Sequence, residues 1–205
     1  MCTSSTRPAS PYEGQVIYET DTDKTLVWNG SAWVYLSTST ANPVGLEFIK
    51  ATALSGSTTQ ITSCFSSTYL VYRVMIDAVQ SNGTDPFTLQ LLSGTTPATT
   101  TYAKQRLYVQ GTTVGGTAVS AQSSIIIGYS DSSKIQSLML EVFSPNVAAF
   151  TRFWTQQVYS DNATNGMIEM GSSVHATSTA YDGFAISCGA NTFSNGTVRV
   201  YGYRN

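Results

Sequence analysis

Charge is what this sequence has least of. Asp, Glu, Lys and Arg make up 11% of its 205 residues, against roughly 25% in an ordinary soluble domain, so Ser, Thr, Gly and Asn must carry the surface. A net charge of -2 without any cluster of Lys or Arg leaves no electrostatic footprint for nucleic acid, whose binding draws on such clusters. Histidine is nearly missing too. His175 stands alone, in a Ser-rich run after Val174 and with no GxSxG elbow around any serine, so a solvated or strand-end histidine is expected rather than the centre of a Ser-His-Asp relay. Cys2, Cys64 and Cys188 are an odd set with no CxxC spacing, which supports neither zinc nor a disulfide framework; Cys64 and Cys188 are expected to be free thiols in the core. No run of about 18 apolar residues exists and nothing hydrophobic precedes Cys2, so neither membrane insertion nor a lipid anchor is expected.

What is there instead is strand text. No window sustains a helical period. Strand-length runs recur every 8 to 12 residues with turn residues between them: Leu46 to Leu54, Gln60 to Phe65, Leu70 to Ala78, the alternating Phe87 to Leu91, Ser124 to Tyr129, Gln136 to Phe143, Phe150 to Tyr159, a run from Asn165-Gly166 through Met170, Gly183 to Cys188 and Thr197 to Tyr203. Tyr102 to Val109 reads as a strand or a mixed segment, and Gly111 to Gly116 as a loop. In the run from Phe150, alternation puts Phe150, Arg152, Trp154, Gln156 and Val158 on one side and Phe153 among the residues of the other. The pattern predicts an all-β chain, an antiparallel jelly-roll-like β-sandwich over residues 44–205.

The front of the chain is a smaller unit. Val16-Ile17-Tyr18, Leu26-Val27-Trp28 and Trp33-Val34-Tyr35 are strand triplets separated by Asp21-Thr22-Asp23-Lys24 and by Asn29-Gly30, a strong hairpin signal. A three-stranded β-meander follows. Its apolar side, carrying some of Tyr18, Trp28 and Trp33, is too large for so small a piece to bury alone, which makes those three the candidate assembly residues. Residues 1–13, with Pro8 and Pro11, read as an extended arm that a partner would have to hold. Ser37 to Pro43 reads as a linker, giving a domain boundary near residue 43.

RPASPYEGQVIYETDTDKTLVWNGSAWV resembles a short module of tailed-bacteriophage virion proteins, those of tail fibres, minor tail proteins and head fibres. The features that carry the resemblance are a proline, Glu-Gly-Gln with a Val-Ile-Tyr strand, Thr-Asp, Trp-Asn-Gly and a closing Ala-Trp. The ending, Asp182-Gly183-Phe184, Asn195-Gly196-Thr197 and Val198 to Tyr203, together with Tyr69 to Val74, is similar to the β-sandwich domains that close phage fibre and head-knob proteins. The resemblance implies a homotrimer located in the virion, made in a bacterial cytoplasm, and partnered by other tail or capsid proteins. Residues 1–43 would be its docking or trimerisation module. It leaves open a tail-fibre or tail-tip attachment protein, whose target would include a host surface glycan, and a capsid decoration or head-fibre protein, which the short chain without a fibre shaft suits. A soluble carbohydrate-binding protein is the remaining alternative.

Candidate chemistry is sparse, and no cofactor and no enzyme are expected. Glu19, Asp21 and Asp23 would share a face if the first strand continued, and could then hold a hard cation, but they are also ordinary turn residues. Glu141, Glu169 and Asp182 are acids available for paired carboxylate work without a setting that singles them out. Gly115-Gly116 has no Lys-Ser or Lys-Thr after it and reads as a turn, not a phosphate loop. Tyr129, Tyr159 and Tyr181 lie near turns where sugars could stack on exposed rings. Asn29, Asn82, Asn162 and Asn195 begin sequons, which turn chemistry explains.

Overall fold

A computed structural model of the chain describes residues 1–36, 45–130, 132–160 and 166–204, and Asn162 lies outside them. It is all-β, with two compact units, Met1–Pro43 and Val44–Asn205.

In the first unit β1 (Val16–Glu19), β2 (Lys24–Trp28) and β3 (Trp33–Tyr35) form an antiparallel meander in that order. Both connections are four-residue loops, Thr20 to Asp23 and Asn29 to Ala32. Asn29 accounts for the second: its side-chain oxygen accepts from the Ser31 and Ala32 amides at 3.0 and 2.8 Å, while Gly30 adopts φ +94°, which costs glycine little. The arm corrects the expectation that it needs a partner to hold it. Cys2 bridges β1, its amide donating to Tyr18 O at 3.0 Å and its carbonyl accepting from Thr20 N at 2.9 Å. The Ser4 amide and hydroxyl donate to the Asp21 carboxylate, and Arg7 pairs with Glu19.

The second unit comprises β4 (Gly45–Ala53), β5 (Thr58–Ile61), β6 (Val71–Ser81), β7 (Pro86–Ser93), β8 (Thr96–Pro97), β9 (Tyr102–Gln110), β10 (Thr113–Gln122), β11 (Ile125–Tyr129), β12 (Gln136–Phe143), β13 (Thr151–Ser160), β14 (Gly166–His175), β15 (Gly183–Ser187) and β16 (Phe193–Arg204). One sheet runs β10-β9-β14-β13-β12-β6-β16-β4 and the other β11-β7-β15-β5, with β8 beside β7. Leaving out β8 and the hairpins β9–β10 and β13–β14, the remaining eight strands run 1-8-3-6 in one sheet and 2-7-4-5 in the other. That is the jelly-roll order. The two hairpins then extend the first sheet beyond β12.

The core lies between the sheets. Tyr72, Val74 and Ile76 of β6, Leu138, Leu140 and Val142 of β12 and Val198 and Val200 of β16 meet Ile61, Phe87, Leu89, Leu91, Ile125, Ile127, Phe184 and Ile186. Cys64 and Cys188 are free thiols within it, and burial pushes the Cys64 thiol up to about 12. Ala78, at φ 53°, is the extra residue of a β-bulge: both neighbours of β6 shift register beside it, so buried positions pass from Ile76 to Val79. The reading of Gly111 to Gly116 as a loop is wrong. Only Gly111 and Thr112 turn, between the paired Gln110 and Thr113, and Gly115 and Gly116 sit inside β10. A Cβ at Gly115 would come within 2.4 Å of the Tyr108 ring, so the ring occupies the space a side chain would need.

Candidate functional site

Cross-strand pairing sorts the front unit's aromatics onto two faces. Ile17 pairs with Leu26 and Leu26 with Tyr35, so Ile17, Glu19, Leu26, Trp28, Trp33 and Tyr35 share one face. Ile17, Glu19 and Leu26 are buried there, and Trp28 and Trp33 pack edge to face at 5.6 Å. The opposite face carries the row Val16–Val27–Val34 and, beside it, Tyr18 and Leu36. Val16 is 53% and Leu36 57% exposed. The structure therefore separates Tyr18 from the two tryptophans. The uncovered apolar face is Tyr18's.

The three front carboxylates do not gather, because β1 ends at Glu19 and a turn replaces the strand that would have aligned them. Glu19 takes Arg7 and the Thr22 hydroxyl, and these bonds hold its carboxyl below the ordinary value. Asp21 takes Ser4 and Asp23 takes the Tyr18 hydroxyl. Among the described residues no group of three or more His, Cys, Asp and Glu side chains is placed to hold a metal.

In the larger unit the expected acids also part company. Glu141 projects from the outer face of β12, where its Oε1 accepts from Arg73 Nη2 and from the Tyr203 hydroxyl, both at 2.6 Å. Glu169 points inward from β14, 2% exposed, with Lys104 Nζ and Arg106 Nη1 each at 2.9 Å. Two acids on opposite sides of one sheet cannot flank a single bond. Asp182 caps a loop by accepting from the Gly94 amide at 2.9 Å. His175 does end a strand but is not solvated. It is 1% exposed, with Nε2 2.6 Å from the Tyr181 hydroxyl, Nδ1 3.3 Å from Thr101 Oγ1 and the Tyr102 ring at 4.3 Å. Burial lowers its pKa, and among the described residues no carboxylate orients it and no serine hydroxyl touches it.

Two of the three turn-side tyrosines are packed rather than exposed. Tyr181 is 4% exposed beneath that histidine bond, and the half-buried Tyr129 ring lies under the Arg106 guanidinium at 4.8 Å. Tyr159 lies on β13.

What sequence reasoning missed is a groove on the outer face of the extended sheet. Trp154 of β13 stands at its centre, 39% exposed. On one side β12 presents Glu141, directly opposite Trp154, and Phe143, opposite Arg152. On the other side come Ser172 of β14, Gln105 of β9 and Ala118 of β10, in register with Trp154. The groove holds about 920 Å³. A second depression of about 500 Å³ continues from Trp154 over Leu107 and Met170. Its signal was already visible: the alternation from Phe150 to Val158 placed Arg152 and Trp154 on one side.

Beyond that depression the same face turns apolar. Val158, Ile168, Val109 and Val114 stand in one cross-strand row, with Val158 70% and Val114 66% exposed.

Set against models of protein families, against curated proteins and against solved structures, the chain matches none of them.

Proposed function

We propose that this chain is a non-enzymatic structural protein of a tailed-phage virion, a trimeric tail-fibre or tail-tip attachment protein in which residues 1–43 dock or trimerise. The observation that carries the reading is the extended sheet's outer apolar row, Val158, Ile168, Val109 and Val114, on strands whose inward positions hold Glu169, Lys104 and Gln157. Strands patterned this way have their apolar side available for a partner, and identical chains meeting through it form a closed symmetric assembly. The Val16–Val27–Val34 face of the front unit adds a second surface of the same kind. With the resemblance of residues 7–34 to phage virion modules, this supports assembly as the purpose of both surfaces. Three copies on one particle would turn weak contacts into avidity.

Native mass spectrometry of the purified chain is the test. A trimer is expected, shifted toward monomer by Val158→Thr with Ile168→Thr, and by Val16→Thr with Val34→Thr. A wild-type monomer at micromolar concentration overturns the reading in favour of a soluble binding protein. Imaging of labelled particles then assigns the site: label at the tail fits attachment, and label over the head makes the chain a capsid decoration protein.

A further inference from the structure

We infer that the groove centred on Trp154 is a binding site for an oligosaccharide carrying an acidic sugar. The inference goes beyond the assembly reading and does not depend on it, because Val158 stands four residues from Trp154 along β13, about 13 Å at the rise of a strand.

The argument starts with shape and ring. The groove's roughly 920 Å³ falls in the range of small-ligand sites, about 300–1,000 Å³, and its floor is made of paired strands of one sheet. A half-exposed indole there offers a flat apolar face for the C–H face of a pyranose, a stacking mode that leaves the sugar's hydroxyls at the ring's margin. Around that margin the groove holds polar groups of complementary kinds. Glu141 is fixed by Arg73 and Tyr203, both of which bond Oε1. These same bonds hold its carboxyl below the ordinary range, so it is ionised at neutral pH with Oε2 open to accept from a sugar hydroxyl. The exposed side chains of Ser172 and Gln105 stand on the opposite side of Trp154, and neither makes a side-chain hydrogen bond among the described residues.

Charge selects the class of sugar. Elsewhere on this outer face Arg199 is matched by Asp77. At the groove two guanidiniums, Arg73 and Arg152, face one carboxylate, Glu141, and Arg73 is the one that pairs with it. Arg152 is exposed and has no ion pair among the described residues. It lies between the apolar Phe143 and Val174, where its planar fork is free to take a carboxylate in two parallel hydrogen bonds. An acidic sugar seated beside the Trp154 ring satisfies both groups.

The test is titration of the full chain by isothermal calorimetry and saturation-transfer NMR. The acidic probes are sialyllactose, a hyaluronan hexasaccharide and an oligogalacturonate; the neutral controls are lactose and maltohexaose. Binding of at least one acidic probe is expected, with the neutral controls weaker by about tenfold or more. Trp154→Ala, at an exposed site that leaves the fold intact by its unchanged melting curve, is expected to abolish binding. Arg152→Gln is expected to remove the preference for the acidic probe while leaving residual affinity through the ring. Failure of every acidic probe to bind, equal binding of acidic and neutral probes, or undiminished binding by Trp154→Ala overturns the inference. None of these outcomes depends on oligomeric state, so the assembly reading stands or falls separately, by mass.

Discussion

The two halves of the eight-stranded sheet are built in opposite senses. Where β4, β16, β6 and β12 form the jelly roll, the inward positions include Tyr72, Val74, Ile76, Leu140, Val142, Val198 and Val200, and the outward ones include the Arg73–Glu141 and Arg199–Asp77 ion pairs. Where β13, β14, β9 and β10 extend it, Tyr102, Phe153 and Met167 carry the apolar core a little further, but Lys104, Arg106, Thr155, Gln157, Glu169, Ser173 and His175 also point inward, most of them buried. The outward ones include Leu107, Val114, Trp154, Val158 and Ile168, all exposed. The cause is what lies across the gap. The jelly-roll half faces the second sheet and its phenylalanines, whereas β11 is the strand that touches β9, β13 and β14, and it brings Tyr129 to receive Arg106. A sheet's sidedness is therefore set by its partner layer and not by the strands, and the extended half keeps its apolar residues for something outside.

The sharpest way to break this contrast is to remove the charge that makes the inner side of the extension tolerable. Glu169→Leu leaves Lys104 and Arg106 without their carboxylate, and burial already pulls the Lys104 ammonium below its ordinary value, with Glu169 opposing. A loss of about 3–5 kcal/mol is expected, as for other buried pairs stripped of one partner, measured by urea unfolding. The double change Lys104→Met with Glu169→Leu removes both ends of the more deeply buried pair and is expected to recover most of that loss. If the single variant costs nothing, the polar interior is not a working network and the contrast between halves is only compositional.

How much of this was legible beforehand follows the same line. The jelly-roll strands announced themselves: Phe87 to Leu91 alternates in sequence as it alternates in burial, and Gln136 to Phe143 is a strand-length run dominated by apolar residues. β10 did not. Its residues, TVGGTAVSAQ, are exposed almost throughout, so no alternation marks it, and its strand conformation comes from pairing with β9 along nearly its whole length. The front unit was readable to the strand, because Asn29 and the Val-Ile-Tyr triplet are local signals. Its arm was not, because Arg7–Glu19 and Ser4–Asp21 join residues 12 and 17 apart. The groove was half legible: the run from Phe150 showed which residues share Trp154's side, but Glu141, Ser172 and Gln105 reach it through sheet order, which no local pattern encodes.

A milder test uses pH. His175 closes the inner polar row beside Tyr102 and Tyr181, and burial lowers its pKa from an ordinary 6.5. The unfolded chain thus binds a proton at a higher pH than the folded one, so the stability this site contributes is complete above about 6.5 and is lost as pH falls below it. Carboxylates held down by partners, such as Glu141 from an ordinary 4.5, add their own loss only below that value. The interval between 6.5 and 4.5 belongs to the histidine. Unfolding free energy is expected to decline across it in the wild type and to stay flat in His175→Phe; a slope that survives the substitution would place the acid-sensitive group elsewhere.

The smallest effect belongs to the wet side of the jelly-roll half. Arg199 and Asp77 face each other across β16 and β6, each side chain 39% exposed, where water screens their attraction and both side chains lose freedom to meet. Asp77→Asn is therefore expected to change the unfolding free energy by no more than about 1 kcal/mol, and by less as salt is added. Its value lies in the pairing with Glu169→Leu. Both remove one carboxylate from a guanidinium in the same sheet, Glu169→Leu from the Lys104 ammonium as well, and the two sites lie on opposite sides of that sheet. Equal costs would mean that both sides are equally dry, and the inverted patterning of the extension would lose its physical basis.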